Sequence, residues 1–320
     1  KTIRIYINDD LISDYTEPPN PWRSSGIQQR LLSSGTFALQ ANDPDSRVFY
    51  RHIKVKRLTD DLPTPGEPLA DAALDRQLTE LATTNFPLVD LHVHLKGELT
   101  LDKALAFSRL YGITYGLAIN CGLKFPVSSD ESLAAYLANF KRPPQTFLAL
   151  QGEGREWTGL ISEQARKQFD YAFTDAMTWT NRNGKRMRLW VKEEYEIGDH
   201  QDFMEQLTGQ IEKIFSTEPV QIYVNPTYIP GELDAEYDQL WTAERIDRII
   251  DTLAKNKVAL EINAKRCAPK PDVIKRAKAA GVKFTFGTNN ANLDDLGHLD
   301  YCLRMIKECN LQPDDMWMPE

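Results

Sequence analysis

The chain has 320 residues, 42% of them apolar and 26% charged, and a formal net charge of -8. That is length enough for one large domain and a small one, and a composition that excludes a disordered chain. The acidic balance and the absence of any Lys/Arg run argue against a nucleic-acid partner, which needs a clustered basic surface. No apolar stretch approaches the length needed to cross a bilayer, and no charged start followed by an apolar run marks a signal peptide. The chain begins at Lys1 and enters a strand-like pattern at once. Residues upstream are therefore expected, and any export signal with them, which leaves a periplasmic or secreted location open. Cys121, Cys267, Cys302 and Cys309 show no CxxC spacing, and Cys302 and Cys309 fall on one predicted helix, too far apart to bridge. Free buried thiols are expected.

From Lys1 to Leu58 apolar and polar residues alternate as in half-buried strands. Thr2–Ile7 and Leu11–Tyr15 flank Asn8-Asp9-Asp10 and predict one hairpin. Thr36–Ala41 and Val48–Lys56 flank Asn42-Asp43-Pro44-Asp45 and predict another. The stretches Gly35–Gln40 and Val48–Lys56 resemble the end of the concanavalin-like domain of 3-keto-disaccharide hydrolases. That resemblance covers only the last third of such a domain and brings no catalytic residue with it. The proline- and acid-rich run Thr59–Pro68 marks a linker, and an amphipathic helix is predicted from Leu69 to Ala82. The expected organisation is a β-sheet segment over 1–58, linker and helix over 59–86, and a larger domain over 87–320.

Beyond the linker, short apolar runs alternate with helical stretches. The runs are Leu88–Val93, Tyr115–Ile119, Thr146–Leu150, Tyr171–Thr174, Val220–Val224, Val258–Ile262 and Lys283–Phe286. The helical stretches are Leu101–Tyr111, Asp130–Phe140, Ser162–Phe169, Gln201–Phe215, Thr242–Lys255, Pro271–Ala280 and Leu299–Cys309. Such alternation predicts an α/β fold with a parallel sheet, and seven units predict a seven-stranded β/α barrel. An open doubly wound sheet is the alternative. Its phosphate loop would need a glycine cluster after the first strand, where the chain reads His-Val-His-Leu-Lys-Gly.

Functional residues of such barrels sit at the C-terminal ends of the strands. In order, those ends present His92 and His94; Asn120 and Cys121; Gln151 and Glu153; Asp175; Asn225; Glu261 and Asn263; and Thr288, Asn289 and Asn290. A single Asn there is more often a loop cap than a ligand, but a polar group follows every run. His92 and His94 alternate on one strand with Asp90, so two imidazoles can meet one ion; a hydrogen-bonded core pair is the bland reading.

Asp90-Leu-His-Val-His94 resembles the first motif of the PHP (polymerase and histidinol phosphatase) phosphoesterases, and Gly152-Glu153 resembles their bridging glutamate. Ala259–Asn263 with Ala277–Gly281 looks like their penultimate unit, and Gly287–Asn292 lies where the family has Gly-Ser-Asp-Ala-His. The resemblance spans Val89 to Leu311 and implies a metal-dependent hydrolase. Several family ligands are replaced: a second-motif His in the Asn120-Cys121 region, a third-motif His by Asp175 or a neighbour, the His before Pro by Asn225, and the last Asp and His by asparagines. Neutral amides bind divalent ions weakly, so at most about one zinc or manganese ion is expected, on His92, His94 and Glu153 with Asp175 or Asn289 as a fourth ligand. Leu91–Gly97 is also similar to the opening motif of adenosine-deaminase-like amidohydrolases, whose later His and terminal Asp are not matched here.

Asp175 or Glu193 is expected as general base, and Lys96 or Lys192 as counter-charge to substrate. Asn225, Asn263, Asn289, Tyr228 and His200 are expected to bind substrate, taken to be a sugar-like or phosphoester metabolite. Lys192, Glu193 and His200 belong to the longest connection, where function often resides, although solvated surface roles compete for each. Trp179, Trp190 and Trp241 read as core or rim. The function expected from a different class is a metal-free carbohydrate- or metabolite-binding barrel.

Overall fold

A computed structural model of the chain describes residues 2–32 apart from Asp9, Pro19 and Ser24, residues 72–143 apart from Lys141, and residues 146–319. The chain divides into two compact units, Lys1–Glu80 and Leu81–Glu320. In the first, β1 (Thr2–Ile7) and β2 (Asp10–Thr16) pair antiparallel as the predicted hairpin. β1 exposes Ile3, Ile5, Tyr6 and Ile7, and β2 exposes Ile12 while burying the polar Asp14 and Thr16, so the expected alternation of buried apolar and exposed polar residues holds in neither strand. The second predicted hairpin and the linker lie outside the described residues. Helix α1 (Ala72–Ala82) falls where the amphipathic helix is predicted and spans the division between the units.

The second unit is a nearly closed barrel of seven parallel strands: β3 (Val89–Val93), β4 (Thr114–Cys121), β5 (Phe147–Gly152), β6 (Tyr171–Thr174), β9 (Ile222–Tyr223), β10 (Ala259–Asn263) and β11 (Phe284–Gly287). Each coincides with one of the predicted runs. Between them stand α2 (Leu101–Tyr111), α3 (Asp130–Asn139), α4 (Trp157–Leu160), α5 (Glu163–Arg166), α6 (His200–Thr217), α7 (Tyr237–Leu240), α8 (Ala243–Asn256), α9 (Pro271–Ala279) and α10 (Asp300–Glu308). The caps explain where several of these helices begin. Thr100, Ser129, Asp199 and Thr242 each accept a backbone N–H from the first turn, and Gly112 ends α2 in the left-handed region at φ 68°. In the long connection after β6 the chain adds a small antiparallel ribbon, β7 (Thr178–Thr180) with β8 (Arg186–Arg188). The Asn183-Gly184 turn between them is a hairpin signal, but strands of three residues are too short to show a period.

The ladder runs in the order β11, β10, β9, β6, β5, β4, β3, and polar groups rather than a ladder seal the seam between β11 and β3. Asp90 Oδ1 accepts the Thr288 N–H at 3.0 Å, and Oδ2 accepts its hydroxyl at 2.6 Å. Asn289 N–H donates to the His92 carbonyl at 2.9 Å. The His94 N–H and carbonyl bond the Asn290 side chain reciprocally, at 2.7 and 2.9 Å. Inside the barrel Phe173 packs 4.7 Å from the His92 ring, and Tyr171 beyond it donates its hydroxyl to the Leu91 carbonyl at 2.7 Å. Gly116 makes room for Tyr171: a Cβ there would lie 1.8 Å from the phenol oxygen.

Candidate active site

The strand ends gather a buried polar network. His92 is the centre of it. Its Nδ1 lies 2.6 Å from Glu261 Oε1, although the two residues are 169 apart in sequence. Glu261 Oε2 in turn accepts the Asn225 N–H at 2.7 Å and the Asn263 amide at 2.9 Å. A carboxylate beside Nδ1 takes its proton as a hydrogen bond and leaves the lone pair on Nε2. That Nε2 is buried and has no hydrogen-bond partner. Gly287 is required here, since a Cβ would stand 2.1 Å from Glu261 Oε1 and 2.8 Å from His92 Cβ.

The asparagines bond to one another and to the charged groups around them. Asn225 Oδ1 accepts from Asn289 at 2.9 Å, from Asn263 at 3.2 Å and from Arg266 Nε at 3.3 Å, while its own amide reaches Asp175 at 3.4 Å. Asn225 and Asn263 are fully buried, and Asn289 is the amide that reaches a cavity. Asp175 also accepts the Met177 N–H at 2.9 Å.

Burial dominates the electrostatics of this floor. It pushes Glu153 up to about 8, with the nearby Asp175 charge adding to the shift and the Asn120 amide, 2.7 Å from Oε1, opposing it. Asp175 is raised by burial as well. Asp90 is pushed up to about 6 by burial, against the hydrogen bonds from Thr288 and His92. His94 is held well below its usual range, by burial first and then by the proximity of His92 and Lys96.

The expected metal ligands do not converge. The two imidazole centroids are 5.2 Å apart, but β3 ends at Val93, and His94 turns toward the Ala118 carbonyl and the Gln151 side chain. Among the described residues no three His, Cys, Asp or Glu side chains come close enough to hold an ion. His92 Nε2 is thus one oriented donor, without a ligand set around it, and the residues present do not fit a preassembled metal centre.

Above the floor lies a cavity of about 850 Å³ whose wall includes Lys96, Thr227, Tyr228, Asp234, Tyr237, Lys265, Arg266, Cys267, Lys270 and Asn289. Asn289 and Arg266 belong both to this wall and to the network beneath. Of the residues singled out in the sequence, Lys96, Tyr228 and Asn289 line the cavity, and His92, Glu153, Asp175, Asn225 and Asn263 lie in the buried floor. Lys192, Glu193 and His200 are in neither: Lys192 pairs with Glu232 at 3.1 Å, His200 with Glu236 at 3.1 Å, and Glu193 is exposed on the same loop. Sequence reasoning missed the pairing of Glu261 with His92. Its place at a strand end was the available signal. Trp179 and Trp241 are buried, and Trp190 is exposed. Cys267 is a free, exposed thiol, where a buried one was expected; the other three cysteines are free and buried.

No family model matches the chain, and no curated protein does. Among solved structures it is similar to a histidinol phosphate phosphatase (HISK) from Lactococcus lactis subsp. lactis Il1403 complexed with zinc, L-histidinol and phosphate. The two are 15% identical with a TM-score of 0.49, over 71% of this chain and 95% of that one. No helix among the described residues is long and apolar enough to cross a membrane.

Proposed function

We propose that the barrel is a PHP-like hydrolase of a small sugar-like or phosphoester metabolite, and that His92 is its central proton-transfer group. The observation that carries this reading is the His92–Glu261 pair, with Nδ1 anchored at 2.6 Å and a buried Nε2 left without a partner. An imidazole held in one tautomer by a carboxylate is a general base poised to take a proton from water. Asp175, linked to the same network through Asn225, favours the imidazolium that results. Glu153, carrying a proton at neutral pH because it titrates near about 8, is the donor to the leaving group. Glu193, the other general base expected from the sequence, stands outside this cluster, as do Lys192 and His200. Lys96 and Arg266 meet the substrate's charge from the wall.

The reduced site of about one divalent ion, implied by the resemblance, enters no step of this scheme because its ligands are not gathered. The resemblance of 35–56 to a saccharide-hydrolase domain supports a sugar-like substrate. A second reading, a metal-free binding barrel, is favoured by the asparagines' bonding to one another. It would make the network a scaffold and the cavity a pure receptor.

The deciding experiment assays aryl glycosides and aryl phosphates with and without added zinc or manganese, alongside plasma emission analysis of the purified chain. The expected result is turnover of about 1 to 1000 per second on one of these classes, lost by about 100-fold or more in His92→Ala. Turnover that survives in His92→Ala would remove the histidine from the mechanism. An inactive chain that still binds sugars would establish the receptor reading. One or more ions per chain would restore His92, His94 and Glu153 as metal ligands.

A further inference from the structure

The cavity wall carries charges that its own neighbours do not cancel. Four cations line it, Lys96, Lys265, Arg266 and Lys270, against the single acid Asp234. Lys265 is paired with Asp295 at 2.6 Å and Lys270 with Asp238 at 2.5 Å, so these two bring their counter-charges with them. Lys96 and Arg266 have no ion-pair partner among the described residues. Set against Asp234, they leave the wall one positive charge in excess.

Arg266 is also held in place. Its Nε donates to Asn225 Oδ1 at 3.3 Å, and its guanidinium lies over the Tyr228 ring at 4.6 Å. A planar cation fixed against a ring and an amide loses little freedom when an anion arrives, so its hydrogen bonds are not spent on ordering it. Lys96 stands on the same wall. An anion entering the cavity meets these two cations without having to break an ion pair. The rest of the lining is polar: the Asn289 amide offers a donor and an acceptor, and Thr227, Tyr228 and Tyr237 border it. A volume of about 850 Å³ admits a mono- or disaccharide.

We infer that the ligand of this cavity is a sugar acid, a hydroxylated ring with one carboxylate, whose anion is held between Lys96 and Arg266 and whose hydroxyls meet Asn289. This deepens the hydrolase reading by naming its substrate class. A single negative charge matches the excess on the wall. A phosphomonoester dianion would leave one negative charge uncompensated, and a neutral sugar would leave the excess positive charge of the wall unmatched.

Isothermal titration of the full chain with D-glucuronate, D-glucose and D-glucose 6-phosphate tests this, with iodoacetamide labelling of Cys267 as a reporter of place. Cys267 suits that use because it is exposed on the cavity wall while the other three cysteines are buried. The expected order is glucuronate tightest, with Cys267 protected by it. Lys96→Gln and Arg266→Gln should each weaken glucuronate by about tenfold and leave glucose unchanged. Arg266→Lys, which keeps the charge, separates loss of charge from a disturbed network, since it should recover part of the affinity. Glucose binding as tightly as glucuronate, glucose 6-phosphate binding more tightly, heat without protection of Cys267, or no binding of any of the three would each overturn the inference. Because the readout is binding, an inactive chain that binds glucuronate would sink the hydrolase and keep the sugar acid, and an active chain indifferent to glucuronate would do the reverse.

Discussion

The floor of the barrel mouth and the loop from residue 190 to 200 hold the same kinds of side chain in opposite settings. On the floor, His92 meets Glu261 at 2.6 Å with both essentially out of solvent, and the remaining oxygen of Glu261 is taken by Asn225 and Asn263. On the loop, His200 meets Glu236 at 3.1 Å with both side chains about two-fifths exposed. Chemically the two are the same pair. Water competes for every group of the second and for none of the first, so only the floor pair can hold a tautomer, shift a neighbour's proton affinity and keep an unpartnered nitrogen ready for chemistry. Composition at a loop or strand end does not reveal which of the two a histidine will become.

Glu261→Gln gives the sharpest test of that contrast. Glutamine fits the space and can still accept from Nδ1–H, but it carries no charge to favour the imidazolium, and its NH2 faces the Asn225 and Asn263 donors that Oε2 accepts from. If the floor pair does the chemistry, kcat should fall by about 100-fold or more, with KM changed far less. The corresponding change on the loop, Glu236→Gln, should leave kcat within about twofold. Equal effects from the two would show that burial does not distinguish them. A rise in KM alone would move Glu261 from proton transfer to substrate binding.

The barrel itself was legible because parallel strands buried on both faces read as continuous apolar runs, and all seven appear where such runs stand. Boundaries slipped only where caps and closure decide, as at β9, which pairs over Ile222–Tyr223 within a longer apolar run. The polar strand ends were legible too, and His92, Glu153, Asp175, Asn225 and Asn263 do share one floor. What the sequence could not show is who pairs with whom. The Glu261 partner of His92 is fixed by the barrel's closing, and the asparagines' bonds with one another follow from the same closure. His94 was placed with His92 by strand alternation, yet alternation stops at Val93, where the strand ends and Asn290 takes hold of the next peptide.

Asp90 extends the comparison to stability. Its carboxyl seals the seam by accepting from Thr288 and His92, while burial pushes it up to about 6 from the usual 3.8. An acid raised in the folded state binds its proton more tightly there than in the unfolded chain. Its contribution is therefore most favourable below about pH 4 and is lost as the pH rises from about 4 to 6, a change of about 3 kcal/mol for a shift of this size. Asp90→Asn keeps an acceptor for the two backbone N–H groups and removes the titration. Denaturant unfolding of both forms at steps from pH 4 to 8 should show the difference between them changing over the acid half of that range. Glu153, which titrates near about 8, should prolong the fall in both. A pH-independent difference would mean that Asp90 stays charged in the fold and that the seam is held by an ion rather than by a neutral acid.

The smallest effects are expected on the loop, where the sequence had pointed to Lys192, Glu193 and His200. Lys192 is exposed, and its pairing with Glu232 is exposed on both sides. The ammonium is raised by Glu232, through its hydrogen bond first and then its charge, but it is a cation at neutral pH with or without that partner. Glu193 is exposed beside it, and His200 opens α6 with a ring that reaches Glu236 rather than the cavity. None of the three contributes to the cavity wall, so the loop's length is not by itself a sign of chemistry. Replacing each by Ala should leave the melting temperature within about 1 °C and kcat/KM within about twofold, since exposed ion pairs contribute little and are weakened further by salt. A loss of tenfold or more in kcat/KM for any of them, with the melting temperature unchanged, would mean that the loop folds over the cavity when substrate is bound and that the floor does not act alone.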